Sequence, residues 1–217
     1  MNHQTVADVM SSAVVRVQAG TPFKEIAHLL LEYDITAVPV VDAGDRPVGV
    51  VSEADLLHKM WGRQEAGATG TAPPPAKTSA TDAAGLMTSP PVCAYEDWSV
   101  VDAARVMAGH GVKRLLVVDE EQRLIGVVSR SDLLRIFLRT DQALRTEIVE
   151  EVLVKTLGEA PSAVQVDVTN GQVVLSGRLS PGVSVAELEE LCGAVDGVVA
   201  VEFRPVPDPE TDGEVRP

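Results

Sequence analysis

The sequence predicts an α/β (α+β) fold with two tandem β-α-β-β-α units followed by a small α-β-β-α-β domain. Residues 49–57 return as residues 126–134, a shift of 77 positions at which seven of nine residues are identical. A repeat of this kind indicates one supersecondary unit used twice. Within and after the repeat, stretches of helical apolar spacing alternate with short β-branched runs. The prediction of the fold class rests on these two observations.

Composition narrows the classes of function. Of the 217 residues, 45% are hydrophobic, so the chain can form a packed core. The formal net charge of −14 disfavours nucleic acid as a partner, because phosphate backbones would be repelled. Cys93 and Cys192 lie far apart without a Cys/His cluster, which speaks against a disulfide framework or a metal site. With no secretory signal and no apolar run of membrane-spanning length, we expect a cytoplasmic protein.

Each repeat unit is expected to contain three strands and two helices. In the first unit, Thr21-Pro22 predicts a helix start with the threonine hydroxyl as cap and the proline at the first helical position. The elements predicted for the first unit are strand 14–17, a helix to about Tyr33, strands 38–41 and 48–51, and a helix from about Glu53. Those predicted for the second unit are a strand near Val92, helix 99–110, strands 115–118 and 124–128, and a helix to about Leu138.

The other segments differ from the repeat in composition. Residues 62–81 are rich in Ala, Gly, Thr and Pro and predict a flexible linker. From Asp141, an apolar helical stripe precedes an alternating strand, the hairpin turn Asn170-Gly171, a second strand, a helix at 185–195 and a strand at 198–203. The domains are therefore expected at 5–61, 82–138 and 141–206, with a disordered tail at 207–217.

The two repeat units resemble the cystathionine β-synthase (CBS) domain, and two in tandem resemble a Bateman module. The likeness rests on Val40-Val41-Asp42 before the hairpin and residues 49–57 after it, and on Val117-Val118-Asp119 with residues 126–134 in the second copy. It covers about residues 5–138. The resemblance implies that AMP, ADP, ATP or S-adenosylmethionine binds in clefts between the units, and that the module pairs into a homodimer.

Residues 141–206 are similar to a BON domain. This likeness rests on the turn and valines of 170–177 and on the Gly-Val-x-x-Val pattern of 197–201. It implies that the domain contacts a protein partner or a membrane surface.

Each repeat unit has a serine and an aspartate, three positions apart, where the third strand meets the closing helix. Ser52 with Asp55, and Ser129 with Asp132, fit a capping box, in which the serine oxygen and the acid satisfy amides of the first turn. The same helix start suits a nucleotide, because its amides and dipole favour a phosphate and a carboxylate accepts from the hydroxyls of a ribose. The two interpretations are compatible.

The CBS resemblance adds further ligand contacts, at the start of the second strand and in the first strand of each unit. The residues implied are Val15, Thr36, Ala37 and Pro39 in the first unit, and Val92, Lys113, Arg114 and Leu115 in the second.

The two copies differ in charge around the predicted site. The second copy has Lys113, Arg114 and Arg130 at the positions of Thr36, Ala37 and Glu53 in the first. Because charge-assisted contacts to phosphate are strong, we expect the second cleft to hold a phosphorylated nucleotide. The first cleft is then expected to bind weakly, to hold a less charged adenosyl group, or to be empty.

Two functions are compatible with the sequence. The first is a non-enzymatic sensor of adenine nucleotides, since no catalytic constellation, metal site or catalytic cofactor motif is visible. The second is a ligand-free CBS dimerisation scaffold whose BON-like domain binds a membrane or a protein.

Overall fold

The computed structural model describes residues 4–61 and 79–205 of the chain. It confirms the mixed α/β fold class, and the described residues form three-stranded sheets. The described residues divide into two compact units. The repeat unit, at 5–61 and 79–133, holds both copies of the repeat, and the C-terminal unit consists of residues 134–205 together with Gln4. Only residues 79–81 of the predicted linker are described, and the predicted tail at 207–217 lies outside the described residues.

The first copy of the repeat begins with a short helix that the sequence did not predict. Its sheet has the order β1-β2-β3, with β1 parallel to β2 and β2 antiparallel to β3. Its elements are α1 (Val6–Val9), β1 (Val17–Gln18), α2 (Phe23–Glu32), β2 (Ala37–Val41), β3 (Pro47–Ser52) and α3 (Glu53–Trp61).

The second copy repeats the same order and the same pairing. Its elements are α4 (Ala83–Leu86), β4 (Cys93–Tyr95), α5 (Val100–Gly109), β5 (Arg114–Val118), β6 (Leu124–Ser129) and α6 (Arg130–Leu133). Ser99 caps α5, since its hydroxyl oxygen accepts a hydrogen bond from the amide of Asp102 at 3.0 Å. This capping serine explains why the start of α5 lies close to its predicted position.

The two copies exchange the segments that precede their first strands. Ser11 of the first copy pairs with Val127 in β6, and Thr88 of the second copy pairs with Val50 in β3. A shift of 77 positions converts one pair into the other. The exchange is therefore reciprocal, and it lays an extended segment of each copy beside the strand that leads into the other copy's closing helix.

The repeated glycines, Gly49 and Gly126, allow this exchange. A Cβ atom at Gly49 would lie 2.5 Å from the sulfur of Met87, and one at Gly126 would lie 2.6 Å from the sulfur of Met10. Both distances are too short for non-bonded atoms, so any side chain at either glycine would displace a methionine of the other copy. The glycine that opens each repeated stretch is thus explained by packing between the copies.

Aliphatic side chains from both sheets join the two copies. Val41, Leu116 and Leu124 are buried in one cluster, and Val50 and Val127 pack against it. Burying an aliphatic side chain contributes about 1.5–3 kcal/mol. This shared core fixes the distance between the two sheets and so shapes the space between the copies.

The C-terminal unit has the α-β-β-α-β order that the sequence predicts. Helix α7 (Asp141–Glu147) continues as a π-helix (Ile148–Thr156), and the later elements are β7 (Val164–Thr169), β8 (Gln172–Gly177), α8 (Val185–Gly193) and β9 (Ala200–Pro205). Strand β8 is central, antiparallel to β7 and parallel to β9.

The hairpin turn between β7 and β8 forms as the sequence predicts. Asn170 and Gly171 both have positive φ angles, of 51° and 74°. Asp141 holds the turn in place, because its carboxylate accepts hydrogen bonds from both of their amides at 2.9 Å.

Two local predictions for the first copy were wrong. The first strand covers Val17–Gln18 and not residues 14–17, because the preceding segment lies along the other copy and parallel pairing with β2 begins only at Val17. Thr21 does not cap α2. Its hydroxyl oxygen accepts from the amide of Gln18 at 3.1 Å, and Pro22 is the residue before the helix.

Two predicted helices also change character along their length. The helix that closes the second copy is α-helical only to Leu133 and continues as a 3₁₀ helix over Leu134–Leu138. The apolar stripe that begins at Leu144 is α-helical to Glu147 and then becomes a π-helix.

Candidate functional site

A cavity of about 370 Å³ lies between the two copies of the repeat. Volumes of about 300–1,000 Å³ are typical of small-molecule sites. Its walls come from β2, β3 and α3 of the first copy, and from the segment before β4 and the start of β5 in the second. Its principal polar lining residues are Thr36, Ser52, Glu53, Asp55, Lys113 and Arg114.

The start of α3 forms one side of the cavity and is held by a capping box. The hydroxyl and the amide of Ser52 donate to Oδ2 of Asp55 at 2.6 and 2.9 Å, and the amide of Asp55 donates to Oγ of Ser52 at 3.3 Å. Ser129 and Asp132 repeat the same three bonds with the same three distances. The capping interpretation of both motifs is confirmed.

The backbone joins each helix start to the start of the second strand in the same copy. The amide of Glu53 donates to the carbonyl of Thr36 at 3.0 Å, and the amide of Arg130 donates to the carbonyl of Lys113 at 3.1 Å. These bonds explain why side chains distant in sequence, such as those of Thr36 and Ser52, reach one cavity.

Arg114 crosses from the second copy to the first. Its guanidinium group donates a hydrogen bond to the hydroxyl oxygen of Thr36. Burial lowers the pKa of Arg114, while the charges of Glu53 and Asp132 act in the opposite direction. Arg114 therefore lies within the electrostatic influence of both helix starts, although only the second copy carries it.

Part of the wall of the cavity is apolar. Pro90, Pro91 and Val92, which precede β4, form one part of it. Val50 of β3 and Leu116 of β5 form another. Such a wall suits a flat, weakly polar group, since apolar surface dominates most small-molecule sites.

Seven of the thirteen predicted site residues line this cavity: Thr36, Ala37, Ser52, Asp55, Val92, Lys113 and Arg114. The other six do not line it: Val15, Pro39, Leu115, Ser129, Arg130 and Asp132.

The positions of four of those six residues have structural reasons. Leu115 is fully buried, because adjacent side chains of a strand point to opposite faces and its neighbour Arg114 faces the cavity. Pro39 is buried within β2, and Val15 packs against the core of the first copy. The guanidinium group of Arg130 donates to the carbonyl of Val112 at 3.1 Å.

The cavity shows where two of the three expected cations lie. Lys113, Arg114 and Arg130 were expected to meet in the cleft of the second helix start. The structure places Lys113 and Arg114 in the lining of the cavity that contains Ser52 and Asp55, and Arg130 does not line this cavity. Arg114 also pairs with Ser129 at the second helix start. Because the exchange of segments builds the cavity from both copies, these two cations are shared between the copies. The binding of a phosphorylated nucleotide in the second cleft stays a prediction.

Sequence reasoning missed several lining residues, among them Thr88, Pro90 and Pro91 of the segment before β4. A signal for this segment was present, because adjacent prolines favour extended backbone and Thr88 occupies the position equivalent to Ser11. The pairing of Thr88 with the other copy has no signal in a single sequence.

The described ranges show two further features. No group of three or more His, Cys, Asp or Glu side chains is arranged there to hold a metal ion. None of the helices in those ranges is both long enough and apolar enough to cross a membrane.

The family model of the CBS domain matches residues 6–62 and 83–139, which together make up more than half of the chain. The chain belongs to the CBS-domain family. Its two copies of the repeat are therefore a tandem CBS pair, or Bateman module.

Curated relatives share the CBS pair but differ in overall length. An uncharacterized protein, MK0525 of Methanopyrus kandleri, is 29% identical over 136 residues, which cover 63% of this chain and 64% of that protein. A homoserine O-acetyltransferase of Methanococcoides burtonii is also 29% identical over 136 residues, which cover 63% of this chain but only 25% of the enzyme. The chain thus spans less than two thirds of the length of either relative.

A solved structure supports the same assignment. The crystal structure of CBSX2 in complex with AMP is similar with a TM-score of 0.52 and 31% sequence identity. The match covers 62% of this chain and 96% of CBSX2.

Proposed function

We propose that this chain is a non-enzymatic regulatory protein whose CBS pair, at residues 5–61 and 82–138, binds an adenosyl compound. The observation that carries the proposal is the cavity between the copies, which combines an apolar wall, a helix start and two cations. An adenine base, a ribose and a phosphate match these three features respectively. The similarity to CBSX2, whose structure contains AMP, supports an adenine nucleotide as the ligand.

Each part of the cavity has a role in the proposed complex. The base packs against Pro91 and Val92, and the hydroxyls of the ribose donate to the carboxylate of Asp55. A carboxylate has about four acceptor sites, so Asp55 can serve the helix cap and a ribose together. The phosphate lies towards Lys113 and Arg114. The second helix start, with Ser129, Arg130 and Asp132, is proposed as a second adenosyl site related to the first by the repeat.

The proposed regulatory role also involves a binding partner for each of the two units. We propose a homodimer through the CBS pair, because Leu31 of α2 and Leu57 of α3 are 81% and 48% exposed on neighbouring helices. The BON-like domain at 141–206 is proposed to contact a protein partner. Light scattering of the full chain, which gives its mass in solution, tests the dimer.

A thermal-shift panel tests the proposed ligand. The full chain is heated alone and with AMP, ADP, ATP, S-adenosylmethionine or NAD. A ligand present at a hundred times its dissociation constant stabilises the native state by about 2.7 kcal/mol, which raises Tm by several degrees. We expect AMP to produce such a shift, and isothermal titration with AMP then counts the sites.

A matched pair of variants separates binding from capping. Asp55→Ala removes a capping aspartate that lines the cavity. Asp102→Ala removes an aspartate that accepts a hydrogen bond from the capping hydroxyl of Ser99 at the start of α5 and does not line the cavity. The shift with AMP should be lost in the first variant and kept in the second. Equal loss in both variants, or no shift with any compound, contradicts the proposal.

The second candidate function is a scaffold whose CBS pair binds no ligand. The exposed apolar residues of α2 and α3 suit a dimerisation platform as well as a sensor. An absence of stabilisation across the whole panel, together with a dimeric mass, favours the scaffold.

A further inference from the structure

The cavity contains opposing charges in equal number. Glu53 and Asp55 bring two carboxylates to its lining, and Lys113 and Arg114 bring two cations. Asp55 is accounted for by the helix cap, whereas the described hydrogen bonds of Glu53 involve its backbone amide and not its carboxylate. The position equivalent to Glu53 in the second copy is Arg130. The repeat motif therefore tolerates either sign of charge at this position, and the capping box does not require a carboxylate at it.

Groups from both copies of the repeat act on the side chain of Arg114. It donates to Thr36 of the first copy, and the charges of Glu53 and Asp132 act on it from the two helix starts. Its side chain is half-buried, so it has lost part of its hydration. A partly dehydrated guanidinium group gains from an anionic partner, and its planar donors suit a phosphate.

Glu53 and Arg114 both contact Thr36. The amide of Glu53 donates to the carbonyl of Thr36 at 3.0 Å, and the guanidinium group of Arg114 donates to the hydroxyl oxygen of Thr36. Both residues line the cavity, and the charge of Glu53 acts on Arg114. A phosphate that pairs with Arg114 therefore comes under the repulsion of Glu53. This repulsion grows with the charge on the ligand, because like charges brought together at a binding site oppose association.

We propose that Glu53 and Arg114 form a charge filter that makes the cavity selective for a nucleoside monophosphate over a di- or triphosphate. A phosphate monoester carries a charge of about −1.5 to −2 at pH 7, which Lys113 and Arg114 can balance. Each further phosphate adds negative charge close to Glu53. The cavity volume of about 370 Å³ agrees with a small ligand, since it lies near the lower end of the usual range. This inference rests on the proposed function and names the ligand class of the same site.

Isothermal titration with adenosine, AMP and ATP tests the filter in the full chain. Magnesium-free buffer is used so that each nucleotide keeps its own charge. The wild type should bind AMP about tenfold more tightly than ATP. Glu53→Gln should raise the affinity for ATP about tenfold while adenosine binding stays unchanged. Arg114→Gln should lower the affinity for AMP about tenfold or more, again without affecting adenosine, and Arg114→Lys should restore part of it.

The outcomes separate this inference from the proposed function. If adenosine, AMP and ATP all fail to bind, the charge filter is overturned. The proposed function is overturned as well when the thermal-shift panel, which includes S-adenosylmethionine, also shows no stabilisation. If adenosine and AMP bind but ATP binds equally well, or if Glu53→Gln changes AMP and ATP by the same factor, only the charge filter is overturned. Thermal unfolding of each variant without ligand identifies loss of fold. If Arg114→Gln fails to fold, the Glu53→Gln titration still decides, because Glu53 is exposed.

Discussion

The two copies of the repeat have the same helix start but different surroundings. The hydrogen bonds of the Ser52–Asp55 cap and of the Ser129–Asp132 cap have identical lengths, 2.6, 2.9 and 3.3 Å. The residue after the serine is Glu53 in one copy and Arg130 in the other. Since the capped helix start is the same in both copies, any functional difference between the clefts has to come from the residues around it.

The comparison also shows that neither copy builds its cleft alone. The cavity at the first helix start takes its cations and its proline wall from the second copy. The reciprocal bridges, Ser11 with Val127 and Thr88 with Val50, bring these segments together. Duplication thus gives the chain two identical capped helix starts. The exchange of segments between the copies surrounds each of them with different residues.

The largest effect is expected from breaking this exchange at the repeated glycines. Gly49→Ala should destabilise the chain by about 2 kcal/mol, because the new methyl group overlaps Met87 and overpacking typically costs about 1–3 kcal/mol. Gly126→Ala should cost less. Three atoms of Met87, including its Cβ, would lie within 3.0 Å at Gly49, whereas at Gly126 only the flexible sulfur of Met10 would be closer than 3.0 Å. Urea unfolding measures both changes.

A double-mutant cycle shows whether the methionine is the cause. Met87→Ala should remove most of the penalty of Gly49→Ala, which gives a coupling energy of about 1 kcal/mol or more. Additive effects would mean that Gly49 is needed for the strand itself and not for contact with the other copy.

Much of the fold, with its repeat units, hairpin turn and helix caps, could be predicted from the sequence. The 77-residue shift identified the two units, because duplicated elements keep their spacing. Asn170-Gly171 identified the hairpin, since both residues readily adopt positive φ angles. The capping boxes followed from a serine and an aspartate three residues apart. All of these signals are local in the chain.

The contents of the cavity could be predicted only in part. Ser52 and Asp55 were identified from the repeat, and Thr36 and Lys113 from the resemblance to the CBS domain. Thr88 was not, because its pairing with Val50 depends on how two sheets pack together. Non-local packing of this kind leaves no periodicity in a single sequence, so the contribution of Lys113 and Arg114 to the cavity at the first helix start was not predicted.

A smaller effect is expected from removing the two capping aspartates. Asp55→Ala and Asp132→Ala should each destabilise the repeat unit by about 1 kcal/mol, the usual cost of a lost helix cap. Asp132→Ala should cost somewhat more if the attraction between Asp132 and Arg114 contributes to stability. Urea unfolding of the two variants without ligand measures the difference. A larger loss of stability for Asp55→Ala than for Asp132→Ala would show that the two helix caps do not contribute equally to stability.

The smallest effect is expected at the hairpins that precede the repeated stretch. Asp42 and Asp119 are equivalent positions, and hydrogen bonds from backbone amides lower the pKa of both carboxyls below the ordinary 3.8. Asp42 accepts from the amides of Gly44 and Arg46, at 2.8 and 2.9 Å. Asp119 accepts from the amide and the guanidinium group of Arg123, both at 2.8 Å.

The sign of the pH dependence follows from these lowered pKa values. Each ionised carboxylate stabilises the native state above pH 3.8, and this stabilisation is lost as the pH falls through the lower pKa of the folded form. Asp119→Asn and Asp42→Asn should therefore lower Tm at pH 5 and have less effect near pH 2. The effect should be larger for Asp119→Asn, because this change also removes an ion pair with Arg123. A Tm difference from wild type that stays constant between about pH 5 and pH 2 would show that the turn needs only the hydrogen bonds and not the charge.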